Sequence, residues 1–198
     1  MESESVPGIG NRPRLTSTTW IHRTGEGLSH ISVGVEYGLH CLLYLAGPPH
    51  GVDSASVRDL AELQGLPIDY AAKLFTKLRR AGLVASTEGR NGGFRLARPA
   101  GEISVLDVVR AIDGRKPLFD CRDVRKQCVL FEGRAPRWAA DGVCSIHAVM
   151  LAAERQMNDA LATQSLGMLA QRVEAKAPSD FGRRVVRWMA NRRTTPGE

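Results

Sequence analysis

Three of the chain's four cysteines, Cys121, Cys128 and Cys144, fall in one stretch, FDCRDVRKQCVLFEGRAPRWAADGVCSIHAVM over Phe119–Met150. Six residues separate the first two, fifteen separate the last two, and Cys144 opens a C-x-x-H with His147. The stretch lacks a C-x-x-C pair, the usual spacing of a structural zinc site. Loose loop spacings suit an iron–sulfur cluster, whose thiolates come from wherever the fold brings them. They suit free or exchanging thiols equally well. A second pair bears on the choice. Glu36 and His40 stand four residues apart on an expected helix and so share a face. They are either a solvated polar pair or an oxygen and a nitrogen ligand offered to a metal held by the cysteines. Cys41, among leucines, reads as a small buried hydrophobe.

The elements that must position these groups are legible from apolar spacing and from turn residues. Ile31, Val35, Leu39, Leu42, Leu43 and Ala46 recur at helical spacing, and Gly47-Pro48-Pro49 ends that helix. A short helix follows, carrying Val57, Leu60, Ala61 and Leu63, with Asp53 or Ser54 as its cap and Gly65 at its end. A second helix, capped by Asp69, turns Tyr70, Leu74, Leu78 and Ala81 inward and stops at Gly82. Two short helices joined by a Gly-containing turn make a helix-turn-helix. LVASTEGRNGGFRLA then reads as strand, turn and strand, with positive-φ-tolerant residues at the tip. The fold expected is mainly α with a small β-hairpin wing. It comprises a disordered extension over 1–27, a winged helix-turn-helix domain over 28–113 that ends in a short helix at Val105–Ile112, a cysteine loop over 114–144, a long dimerisation helix over 145–174, and a basic tail over 175–198 that is either a short amphipathic helix or loose. The stripe Ile146, Val149, Met150, Ala153, Met157, Ala160 and Leu161 is the expected dimer seam.

Charge supports a polyanionic partner. Between Lys73 and Arg98 lie seven cations against Glu88 alone, a surplus of six that equals the net charge of the whole chain. A focused basic patch attracts DNA. On a winged helix the recognition helix enters the major groove and the wing touches backbone or minor groove. The DNA-contacting candidates are Tyr70, Lys73, Thr76, Lys77 and Arg80 on the helix, with Arg90 and Asn91 on the wing tip. With 43% hydrophobic residues, no apolar run long enough for a membrane span and no secretory h-region near Met1, a cytoplasmic protein is expected. No nucleophile–base constellation or phosphate-binding loop points to an enzyme.

At these residues the chain resembles the Rrf-type, IscR-like winged-helix transcription regulators, over roughly residues 28–172. The resemblance rests on VEYGLHCLLYLA, VRDLAELQGLPIDYAAKLFTKLRRAGLV and GRNGGFRLARPAGEISVLDVVRAIDG, in that order, followed by cysteines leading into a helix. SVGVEYGLHC and FDCRDVR…CSIHAVMLAAE are most similar to redox-sensing members. Those hold a 2Fe–2S cluster with two cysteines of one subunit and a glutamate and a histidine from the first helix of the other. The resemblance thereby implies Cys121, Cys144, Glu36 and His40 as ligands. Three-cysteine members imply instead Cys121, Cys128, Cys144 and His147, although the gap before Cys144 is longer here than in them. It further implies a homodimer that binds a palindromic operator, acts as a repressor and senses redox state or nitric oxide. The alternatives are a cluster-free thiol–disulfide switch and, from another class, a metal-carrying assembly factor or enzyme.

Overall fold

The computed structural model describes residues 30–47, 51–88 and 92–194. The expected extension over 1–27, the stop at Pro48-Pro49 and the wing-tip residues Arg90 and Asn91 lie outside them. Eight α-helices are described: α1 (Val33–Leu43), α2 (Val57–Gln64), α3 (Ile68–Arg80), α4 (Val105–Asp113), α5 (Arg137–Ala140), α6 (Ser145–Ala162), α7 (Leu166–Lys176) and α8 (Phe181–Thr194). Two strands, β1 (Val84–Thr87) and β2 (Gly93–Leu96), pair antiparallel with Val84 opposite Leu96. The protein is thus mainly helical with a two-stranded wing.

Helices α2 and α3 form the helix-turn-helix. The cap of α2 is Ser56, whose hydroxyl accepts from Asp59 N at 3.0 Å, rather than Asp53 or Ser54. The reason is non-local. Ala55 exchanges two backbone hydrogen bonds with Phe94, at 3.0 and 2.8 Å, and this keeps the chain extended up to Ser56. Gly65 ends α2 in the left-handed region at φ 71°, where glycine carries no Cβ penalty. Pro67, not Asp69, precedes α3, and its fixed φ of −59° leads directly into the first turn. Ala71, Leu74, Phe75 and Leu78 form the buried face of α3, while Ala81, expected inward, is exposed. The wing is pinned to this unit at Gly93, where a Cβ would lie 2.3 Å from the Ala55 carbonyl oxygen.

Helix α4 starts with a capping box in which Ser104 and Asp107 satisfy each other's backbone N–H groups. It lies close against α1: a Cβ on Gly38 would fall 2.4 Å from Ile112 Cδ1. Val35, Cys41 and Leu42 of α1 join Leu60, Phe75, Leu78, Val108 and Ile112 in one core. Burial pushes the Cys41 thiol up to about 12, in keeping with a small hydrophobe.

The helix expected over 145–174 is two helices. Thr163-Gln164-Ser165 breaks it: the Ser165 hydroxyl accepts from Met168 N, and Gln164 O and Leu166 N pair with Val105 N and Ile103 O. These bonds hold the start of α7 against the chain before α4 and bury Leu166 and Ala170. The C-terminal segment is also ordered as a helix. Val185 and Met189 of α8 are buried, and Trp188 packs partly against the core. Arg192 bonds Asp59 at 2.8 Å and Glu62 at 2.9 Å on α2, with its guanidinium 4.8 Å from the Trp188 ring centre.

Candidate nucleic-acid interface and cysteine site

On α3, Lys73, Thr76, Lys77 and Arg80 all lie on the exposed face, as does Arg79, which is not among the contact candidates expected from the sequence. Their partners sort them. Lys77 reaches across to the last turn of α4, and its Nζ donates to Ile112 O at 2.6 Å. That cation satisfies an end carbonyl of α4 and sits at the negative end of its dipole. The Thr76 hydroxyl donates back to Ala72 O. Arg98, at the foot of the wing, pairs with Asp107 at 3.1 Å. Lys73, Arg79 and Arg80 have no partner among the described residues and present free donors. Tyr70 is half-buried: its ring meets Tyr37 of α1 edge-on at 5.9 Å, and its hydroxyl crowds Gly34. Desolvation, then the neighbouring Tyr37 and Asp113, raise its pKa. Tyr70 therefore joins the recognition helix to α1.

A second link makes the same connection. Ser32, at the cap of α1, donates its N–H to Asp113 Oδ2 at 2.7 Å and its hydroxyl to Oδ1 at 2.5 Å. The last turn of α4 thus holds the start of α1 through Asp113 and the recognition helix through Ile112.

In the cysteine loop Arg125 does the organising. Its Nε donates to Asp123 at 2.7 Å, and its terminal nitrogens donate to the carbonyls of Ala140, Asp141 and Gly142 at 3.3, 3.3 and 2.6 Å. One guanidinium so ties the turn after Cys121 to the turn before Cys144, and it feels the charge of both thiols. Asp123 takes the left-handed region at φ 49°, a cost that its ion pairs with Arg125 and Lys126 offset. Those two hydrogen bonds, Lys126 first, hold its carboxyl below the usual range.

Cys144 occupies the cap position of α6. It makes no full capping hydrogen bond, yet the backbone N–H groups of His147 and then Ile146 face its sulfur. Together with the Arg125 charge they lower its pKa, against desolvation and the Asp123 carboxylate, which act the other way. Cys121 and Cys144 are half-buried and Cys128 is exposed. The His147 ring meets Phe119 tilted at 55°, with ring centres 6.2 Å apart. Glu36 and His40 stand exposed one turn apart on α1. Among the described residues of one chain, no three His, Cys, Asp or Glu side chains gather into a metal-binding group. The Arg125 clamp had no sequence signature, because three of its four partners are backbone carbonyls.

Helix α6 presents its own face. None of its residues is buried, and Ile146 and Val149 are 64% and 65% exposed, with Ala153 on the same side. Met150, Met157 and Leu161 are half-buried, and Met157 lines a crevice with Leu106 and Val109 of α4. The stripe read as one seam therefore has an inner and an outer edge.

Residues 31–172 match the family described as "Rrf2: Iron-dependent Transcriptional regulator". Over 94 residues the chain is 42% identical to Rv1287 of Mycobacterium tuberculosis, named as an HTH-type transcriptional regulator. That match spans 48% of this chain and 56% of the relative, so the chain covers little more than half the relative's length. Among solved structures, T. potens IscR superposes with a TM-score of 0.54 at 24% identity, covering 75% of this chain and 90% of that one. CymR (YrzC), the global cysteine regulator of B. subtilis, superposes with a TM-score of 0.50 at 26% identity, covering 72% and 96%. No helix among the described residues is long and apolar enough to cross a membrane.

The depressed Cys144 thiol yields a direct test. In metal-free chain, its alkylation by iodoacetamide should rise to a plateau at lower pH than that of a free cysteine peptide. Arg125→Ala should move the midpoint upward, because a cation favours the thiolate. A parental midpoint in Arg125→Ala would contradict the clamp's electrostatic role.

Proposed function

This chain belongs to the Rrf2 family of iron-dependent transcriptional regulators, and on that footing we propose that it is a homodimeric, operator-binding repressor that senses redox state or nitric oxide through an iron–sulfur cluster. The observation that carries the reading is the pairing of two thiols by Arg125 beside the free end of α6. A half-buried cysteine at a helix N-terminus, facing N–H groups and a guanidinium, is a ready thiolate donor, and Cys121 shares the same field. These residues fit a 2Fe–2S cluster. Cys121 and Cys144 would supply its thiolates, and Glu36 and His40 of α1 an oxygen and a nitrogen. The exposed edge of α6 supports a two-chain arrangement, since Ile146, Val149 and Ala153 would be covered by the same face of a second copy. Such a cluster supplies one-electron exchange. Neutral imidazole in place of one thiolate would remove one negative charge around iron and raise the potential relative to four cysteines, whereas the carboxylate keeps the charge of the thiolate it replaces.

The chain's own residues would carry the signal. Helix α1, which bears Glu36 and His40, begins at Ser32 on Asp113. The adjacent Ile112 carbonyl takes Lys77 of the recognition helix, and Tyr70 seats that helix against Gly34 and Tyr37. A tilt of α1 would therefore displace α3. A coupling of about 1–3 kcal/mol would change operator affinity 5–150-fold. The operator would be palindromic, with half-sites about one helical turn apart.

A cluster-free thiol switch is the second reading. The activated Cys144 thiol favours it, as does the likeness to a cysteine regulator at 26% identity.

Two experiments test these proposals. In anaerobic reconstitution with iron and sulfide, Cys121→Ala and Cys144→Ala should lose the visible chromophore. Glu36→Ala and His40→Ala should alter its spectrum, and Cys128→Ser and His147→Ala should keep it. Loss in the last pair with a parental spectrum in Glu36→Ala and His40→Ala would establish the three-cysteine set, and a colourless parent would favour the thiol switch. For DNA, operator titrations across salt should show Lys73→Ala weakened, with the log–log salt slope reduced by about one. Lys77→Ala, whose ammonium serves α4, should keep the slope and lower the urea midpoint. A parental slope in Lys73→Ala would remove α3 from the groove.

A further inference from the structure

A cavity of about 680 Å³ opens between α1, α2, α7 and the turn into α8. Its size falls within the roughly 300–1,000 Å³ of small-molecule sites. Leu43, Val173 and Phe181 supply apolar wall, and His40, Gln64 and Arg183 supply polar groups. The wall from Ala177 to Arg183 lies beyond the family-matched segment 31–172, so this chain's own C-terminal extension closes the space. Buried Val185 and Met189 and the bonds from Arg192 to α2 hold that extension in place.

The polar groups differ in what they already bind. Gln64 accepts from the Tyr44 hydroxyl at 3.2 Å, which leaves its NH₂ group as a donor. Glu174 also reaches the cavity but is engaged within the protein. The Arg183 guanidinium has no partner among the described residues. An apolar interior with a free guanidinium and an amide donor at its edge matches a ligand with a hydrophobic body and an anionic head. The outer edge of α6, with Ile146, Val149 and Ala153, contributes nothing to the lining, and of the residues proposed to meet a second copy His40 alone is shared with the cavity.

We propose that this cavity binds a small amphipathic organic anion, its ring or chain against Leu43, Val173 and Phe181 and its carboxylate, sulfonate or phosphate on Arg183. The site stands independently of the cysteines, although His40 places it beside the proposed ligand pair on α1.

Anilinonaphthalene sulfonate, a ring body with one anionic group, is a suitable probe. It should be titrated into the full-length chain by calorimetry, which is indifferent to any iron–sulfur colour. One saturable site per chain is expected. Val173→Trp fills the space from a position that is 42% exposed and should abolish binding. Arg183→Gln should weaken it roughly tenfold, the loss of one charge-assisted hydrogen bond. Absence of saturable binding, or parental affinity in Val173→Trp, would overturn the site. Parental affinity in Arg183→Gln would overturn the anionic head. If Val173→Trp does not fold by circular dichroism, Leu43→Trp takes its place with the same expectation. Cysteine variants should bind the probe as the parent does, so a failed cluster and a failed cavity give different results.

Discussion

The last turn of α4 is the point on which the arrangement depends. Asp113 receives two hydrogen bonds from Ser32, and one residue earlier the Ile112 carbonyl receives the Lys77 ammonium. A helix C-terminus has unsatisfied carbonyls and a partial negative charge, so it attracts donors from wherever the chain can bring them. Here the donors come from α1, which carries Glu36 and His40, and from α3, which carries the free cations. Gly34 and Gly38 let α1 approach close enough for Tyr70 and Ile112 to fill the gap. Removal of Lys77 or Asp113 would thus loosen the relation between two helices rather than either helix alone.

The cysteine loop follows a different logic. It has almost no core of its own: Val129, Leu130 and Trp138 are all at least 80% exposed, and Ala139 is its one residue among the deeply buried apolar set. What shapes it is polar, the Arg125 fork on three carbonyls and one carboxylate. Such a loop places two half-buried thiols in the field of one guanidinium. Together with the bare edge of α6, this describes a half-site that a second copy would complete. The same polar economy explains why Cys144 matters more than its exposure suggests, because backbone N–H groups and a guanidinium act on its sulfur at once.

Much of this was legible in the sequence, and what was not has identifiable causes. Apolar spacing located α1 to α4, and Gly65 marked a turn because only its backbone suits φ 71°. The cap of α2 was misplaced because Ala55 pairs with Phe94, a contact between residues far apart in the chain. The break at Thr163–Ser165 was missed because it contains neither glycine nor proline. It is set by hydrogen bonds to Ile103 and Val105, and by Leu166 finding the core. Phe181, Val185, Val186 and Trp188 left an amphipathic helix and a loose tail both open at α8, because its docking depends on Asp59 and Glu62 of α2. Among the groove candidates, residue type and spacing gave the correct exposed face for Lys73, Thr76, Lys77 and Arg80. They did not show that Lys77 bends toward α4 or that Tyr70 packs on α1.

In the proposed dimer, ligands on the cysteine loop of one chain meet ligands on α1 of the other. Mixed dimers test this most directly. One chain would carry Cys121→Ala and Cys144→Ala and the other Glu36→Ala and His40→Ala, with differently tagged chains co-purified and reconstituted without oxygen. If the ligands meet across the dimer, one of the two sites in the mixed dimer is intact. Iron and visible absorbance should then reach about half the parental value, while each doubly substituted homodimer shows an impaired chromophore. If all ligands come from a single chain, no intact site remains, and mixed dimers no better than the homodimers would contradict the account.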